Sequence, residues 1–119
     1  MAAVDHAIAA GYRADVLVRW GDPVVPGAPA FDPAAQTPTA QSLQFGFNND
    51  FLAWFPLPRG STSSDHGLLV VNHEYTEGQR MFATYDAKNP TAAQVDVELA
   101  AHGGTIVELE RTGTQWSVV

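Results

Sequence analysis

Hydrophobic and polar positions alternate with a period of two over several short stretches of this chain. In Arg13–Trp20 one set of alternate residues is Ala14, Val16, Val18 and Trp20, and the other is Arg13, Asp15, Leu17 and Arg19. That pattern predicts a half-buried strand, ended by the turn residues Gly21-Asp22-Pro23. Phe51–Leu57 predicts a second strand, closed by Pro56 and Pro58, which cannot donate to a ladder and so mark an edge or an end. Leu68–Asn72 is a continuous apolar run and predicts a strand buried on both faces. Gly104–Glu110 and Gln115–Val119 alternate again and predict a hairpin joined through Thr112-Gly113-Thr114.

Helical signals are fewer. Asn89 at the N-cap and Pro90 at the first helical position predict a helix start, with Val95 and Leu99 one turn apart and Gly103-Gly104 ending it. Asp5–Ala10 suits one short helical turn, stopped by Gly11. Residues 24–43 hold Pro, Ala and small polar residues without any core-forming period, and predict a long loop.

Composition narrows the class. A chain of 119 residues with 45% hydrophobic content makes one small domain. No apolar run approaches the roughly 20 residues of a membrane helix. A net charge of −7 opposes a nucleic-acid partner, which calls for a basic stripe. The absence of Cys excludes disulfides and thiolate metal ligands within the chain. Met1–His6 has neither a basic nor an apolar leader region, so no signal peptide is expected in the chain as given.

The chemistry concentrates in two places. Asn48-Asn49-Asp50 stands between Phe47 and Phe51, and Asn72-His73-Glu74 follows the buried run. Oxygen donors at the edge of apolar strands suit a hard cation, because a carboxylate drawn toward the interior needs a partner. Asn72 and Glu74 would share one face and His73 the other. The local alternatives are ordinary. Asn and Asp stabilise turns through their own backbone, Glu74 caps a turn or pairs with Arg80, and His73 is a hydrogen-bonded structural residue. Asp65-His66-Gly67 fits turn chemistry. Ala101-His102-Gly103-Gly104 fits a helix end, although paired glycines also let a backbone approach a ligand.

These residues resemble the PhoX family of bacterial alkaline phosphatases. The likeness is carried by Gly11-Tyr12 with Val16–Pro23, by Gln44–Trp54, by Asp65–Thr76, and by Gln94–Glu98 continuing through Ala101-His102-Gly103-Gly104 to Glu108. The resemblance implies a mainly β fold, namely part of a β-propeller of about one to two blades with long loops and a short helix. It also implies a phosphomonoesterase using calcium and iron, exported to the periplasm or beyond by the twin-arginine route. Glu74 is the metal ligand that carries over, with Asn48, Asn49, Asp50, Asn72 and His73 as lining residues; no catalytic residue is assigned.

The chain lacks the family's ligating Cys and most of its carboxylates. Residues 1–119 are therefore expected to be a fragment of a single PhoX-like domain, inactive alone. Its partners would be a phosphomonoester in the full-length protein, and the rest of the propeller or another copy at the open strand edges. The alternative is a non-catalytic binding module that kept the sheet and lost the metal centre.

Overall fold

The computed structural model describes residues 7–119. Its frame is one antiparallel sheet of four strands in chain order: β1 (Asn49–Pro56), β2 (His66–His73), β3 (Gly103–Thr112) and β4 (Gln115–Val118). Three helices accompany it: α1 (Pro38–Gln41), α2 (Gly78–Met81) and α3 (Ala92–Ala100).

The period of two explains the strands. Val71, Val107 and Leu109 fall on one face of the sheet and are buried. Ala53, Phe55, Leu68, Val70 and Ile106 fall on the other, where Phe55 and Ile106 are 54% and 64% exposed. The expected β3–β4 hairpin is present, with Thr112 opposite Gln115 and Gly113 in the left-handed region at φ 64°. The β2 apolar run extends through Asn72 and His73, so both residues belong to the ladder.

A separate core forms where α2 and α3 meet. Met81, Val97 and Ala101 are buried together, with Trp20, Phe47 and Phe82 packed against them. α3 begins after Thr91, two residues beyond the expected cap at Asn89. The reason is a capping box. The Thr91 hydroxyl accepts from the Gln94 amide at 3.2 Å, and the Gln94 side chain accepts from the Thr91 amide at 2.9 Å. Asn89 instead closes a turn onto the Asp86 carbonyl at 3.0 Å. Glu98, on α3, accepts from the hydroxyls of Thr76 and Tyr85, tying the segment around α2 to the helix.

The strand expected over Arg13–Trp20 does not form. Most of both alternate sets remains outside: Val16 is 64% exposed and Leu17 37%, and only Val18 and Trp20 are half-buried. Without a neighbouring strand, alternation has nothing to bury and no ladder to join. The segment is secured at its end instead, where the Trp20 indole donates to Gln41 Oε1 at 2.7 Å and packs edge-on against Phe31 and Phe47. Asp5 and His6 lie outside the described residues, and Ala7–Ala10 carry no helix. Within residues 24–43 the one regular element is α1, capped by the Thr37 hydroxyl.

Candidate functional site

The register brings both sequence motifs to one end of the sheet. Asn49 lies opposite His73, and Asp50 opposite Asn72. On the other side of β2, Asn72 faces Gly104 and His73 faces Gly103. Segments separated by more than twenty residues in sequence therefore meet in a single row.

Local backbone geometry suits the residue types. Asn48 has φ 50°, a left-handed conformation that Asn tolerates better than most residues. The ladder slips between Asp50 and Leu52, and Phe51 at the slip has φ 40° and is 82% exposed. Bulges of this kind redirect side chains at sheet edges. Here the bulge leaves Asp50 in register with Asn72, and Asn72 Nδ2 donates to Asp50 Oδ1 at 2.8 Å. The Asn48 carbonyl accepts from the Glu74 amide at 3.2 Å, so the pairing continues one step past the end of β2.

Glu74 is exposed, and its carboxylate has no hydrogen-bond or ion-pair partner among the described residues. The Arg80 pairing open to it from sequence is taken by Glu77. Asp50 likewise pairs with no Lys or Arg among those residues. The end of the sheet thus joins Asp50 to Asn72, with Asn48 and Glu74 flanking them in the chain, Asn49 on the His73 side of the ladder, and the bare backbone of Gly103-Gly104 alongside. Such oxygen donors match a hard cation such as calcium. They do not match a soft thiolate-type centre. No group of three His, Cys, Asp or Glu comes close enough to hold a metal among the described residues.

His73 turns the opposite way. It is 4% exposed and its ring meets Phe45 edge-on, with centroids 4.9 Å apart. His73 Nε2 accepts from the Gly46 amide at 3.2 Å and lies 2.7 Å from the Thr105 hydroxyl. Because Nε2 accepts from Gly46, the neutral ring carries its proton on Nδ1, which is buried without a partner among the described residues. Burial lowers the His73 pKa below its ordinary value. Gly46 is required at this contact: a Cβ there would lie 2.3 Å from the imidazole and 2.6 Å from the Ala101 carbonyl oxygen.

Sequence reasoning did not find the Asp50–Asn72 bond or the links from His73 to Gly46 and Thr105. The available signal was Gly46 between Phe45 and Phe47, a residue without a side chain inside an aromatic run.

A family model for the alkaline phosphatase PhoX matches residues 2–119. The chain belongs to the PhoX family. A solved structure described as Pseudomonas fluorescens PhoX in complex with vanadate, a transition state analogue, is 34% identical to it and superposes with a TM-score of 0.78. That match covers 92% of this chain and 18% of the Pseudomonas chain, so the present sequence spans less than a fifth of that PhoX. No curated protein matches. The likeness agrees with the mainly β architecture and the four-stranded antiparallel sheet. No helix among the described residues is long and apolar enough to cross a membrane.

Proposed function

We propose that this chain supplies one wall of the metal centre in a phosphomonoester hydrolase. The observation that carries the reading is the meeting of Asp50 and Asn72 at one end of the sheet, next to Glu74, which is unpaired among the described residues, in a PhoX-family chain. Glu74 would be the metal ligand. Asn48, Asn49, Asp50 and Asn72 would line the centre, and His73 would support it from the core side. Calcium suits these donors; the iron expected from the family would find no thiolate here, since the chain has no Cys.

When bound, such cations neutralise phosphate charge and hold its oxygens during transfer. The chain's own residues act before that. Asn72 fixes the orientation of Asp50, the Asn48–Glu74 backbone bond fixes where Glu74 leaves the strand, and Gly103-Gly104 keeps the adjoining strand free of side chains. Glu74 is a ligand in this reading and not a general base.

The rest follows from membership. The sheet would form about one to two blades of a propeller, completed by the remaining blades or by another copy of the chain. The exposed face bearing Phe55 and Ile106 supports that arrangement. The full-length protein would work in the periplasm or outside the cell, and the isolated chain would be inactive.

The test is Glu74→Gln in a PhoX of full family length carrying this segment. Bound metal and phosphomonoesterase activity should fall together. Retained metal with lost activity contradicts the ligand role.

A second reading, a non-catalytic binding module, is favoured by the lack of a three-residue metal-binding cluster among the described residues. Calorimetric titration with calcium separates the two, since a module that lost its metal centre gives no binding heat.

A further inference from the structure

His73 differs from every other residue of the two motifs. The other members are partly or fully exposed, whereas His73 is buried and touches two separate stretches of chain. From the end of β2 its ring reaches Gly46 in the segment that leads into β1, Thr105 on β3, and Phe45 beside Gly46. The neighbouring amide of Phe47 donates to the Ala101 carbonyl at 3.0 Å, which holds the same segment to the end of α3. Two bonds therefore fix Gly46-Phe47 immediately before Asn48, and one of them is the imidazole.

We infer that His73 is a positioning residue: its Nε2 gathers the Gly46 amide and the Thr105 hydroxyl, and so seats the Gly46-Phe47 segment that leads the Asn48–Asp50 donors into the ladder beside Asn72–Glu74. The inference rests on the metal-centre reading above.

The geometry explains why a histidine serves. The Gly46 amide donates to Nε2 and the Thr105 hydroxyl lies 2.7 Å from the same atom, and a buried amide left unpaired is costly. Imidazole extends from the strand far enough to supply that acceptor, and its flat ring fits the space left by the missing Gly46 side chain. The donors sit at the last steps of the β1–β2 ladder, where Asn49 pairs with His73 and Asp50 with Asn72. Asn48 and Glu74 share one backbone bond, and Asp50 and Asn72 one exposed side-chain bond. Without the imidazole, the stretch from Gly46 to Asp50 retains the Phe47–Ala101 bond, these two and the ladder pairing of Asn49 and Asp50, while the Gly46 amide loses its acceptor. Groups that hold a metal's ligands in place typically alter affinity by 10–100-fold when removed.

The experiment compares wild type, His73→Ala, His73→Gln and Thr105→Val in the 119-residue chain by two readouts. One is calcium affinity by calorimetry. The other is residue-resolved amide exchange at Gly46 and Glu74, with Leu109 and Glu110 on β3 as the remote reference. The Gln side chain places an amide oxygen near the Nε2 position, so it restores the acceptor without restoring the ring.

His73→Ala should weaken calcium binding about tenfold. It should also speed exchange at Gly46 and Glu74 while the reference amides keep their protection. His73→Gln should recover both, and Thr105→Val should keep the Gly46 protection. Unchanged protection and affinity in His73→Ala overturns the inference. So does a Gln variant that behaves like Ala, which would give the role to the ring's packing. If His73→Ala unfolds altogether, the Gln variant decides by the same two criteria. If wild type binds no calcium, the metal-centre reading fails, and the exchange pattern alone then decides whether His73 holds the segment.

Discussion

Asn72 donates to Asp50 across the β1–β2 pair at 2.8 Å, joining a residue of each polar motif at the end of the sheet. The bond lies at the surface, so its contribution to stability is small, about 1 kcal/mol or less. Its effect on the candidate site is larger, because it fixes one carboxylate oxygen of Asp50. Asn72→Ala should leave the urea midpoint nearly unchanged and lower calcium affinity. Chemical denaturation and calorimetry on the same sample check both halves.

Gly46→Ala should be more damaging than an exposed glycine substitution. The added methyl would meet the His73 ring at 2.3 Å and the Ala101 carbonyl oxygen at 2.6 Å, and the second neighbour is backbone. Overpacking of this kind costs about 1–3 kcal/mol. Gly11→Ala meets nothing within 4 Å and carries only the strain of φ 86°, so it should cost less. Urea unfolding of the two variants side by side measures the difference.

His73 gives stability a pH dependence of definite sign. Its folded pKa is lowered by burial, so the unfolded chain takes up a proton first as the pH falls. Its neutral form is fully compatible with the fold above the unfolded value near 6.5, and stability is lost as the pH drops below that toward the lowered folded value. Wild type should therefore lose more melting temperature between pH 7.5 and pH 5 (about 1 unit above to about 1.5 units below that value) than His73→Gln does. Thermal melts of both proteins in a chelating buffer check this, and equal losses would show that His73 does not titrate in this way.

Glu98 should act as a clasp for the segment around α2. It accepts from both Thr76 and Tyr85, and Gly78 lies directly against the Tyr85 ring. Burial, then the hydrogen bond to Glu98 and its charge, raise the Tyr85 pKa. Glu98→Ala should loosen this segment and lower the urea midpoint. The late-titrating tyrosine should return toward its ordinary value, as followed by tyrosinate absorbance.

Much of the sheet was legible because its residues alternate where the structure pairs them. Val107 and Leu109 show the period, and the Gly113 turn marks the hairpin. Arg13–Trp20 shows the same period and forms no strand, because alternation reports a face that could be buried and not whether a neighbour exists. The start of α3 was read two residues early because Asn89-Pro90 is a good start signal, while Thr91 with Gln94 forms two reciprocal bonds. At the candidate site the residue types were legible and their pairing was not. Nothing local in the sequence says that Asp50 meets Asn72, or that Gly46 makes room for His73; both depend on the register of β1 against β2. The loss of the Glu74–Arg80 option was equally hidden, since Glu77 stands closer along the chain and takes the guanidinium.

The central claim is that this end of the sheet holds a hard cation through Glu74. Calorimetric titration of the chain with calcium, for wild type and Glu74→Gln, tests it most directly. The account predicts wild-type binding in the weak range of incomplete oxygen shells, about 10⁻⁴–10⁻³ M, and at least several-fold weaker binding in the variant. Wild-type binding that is absent, or that Glu74→Gln leaves unchanged, would contradict it.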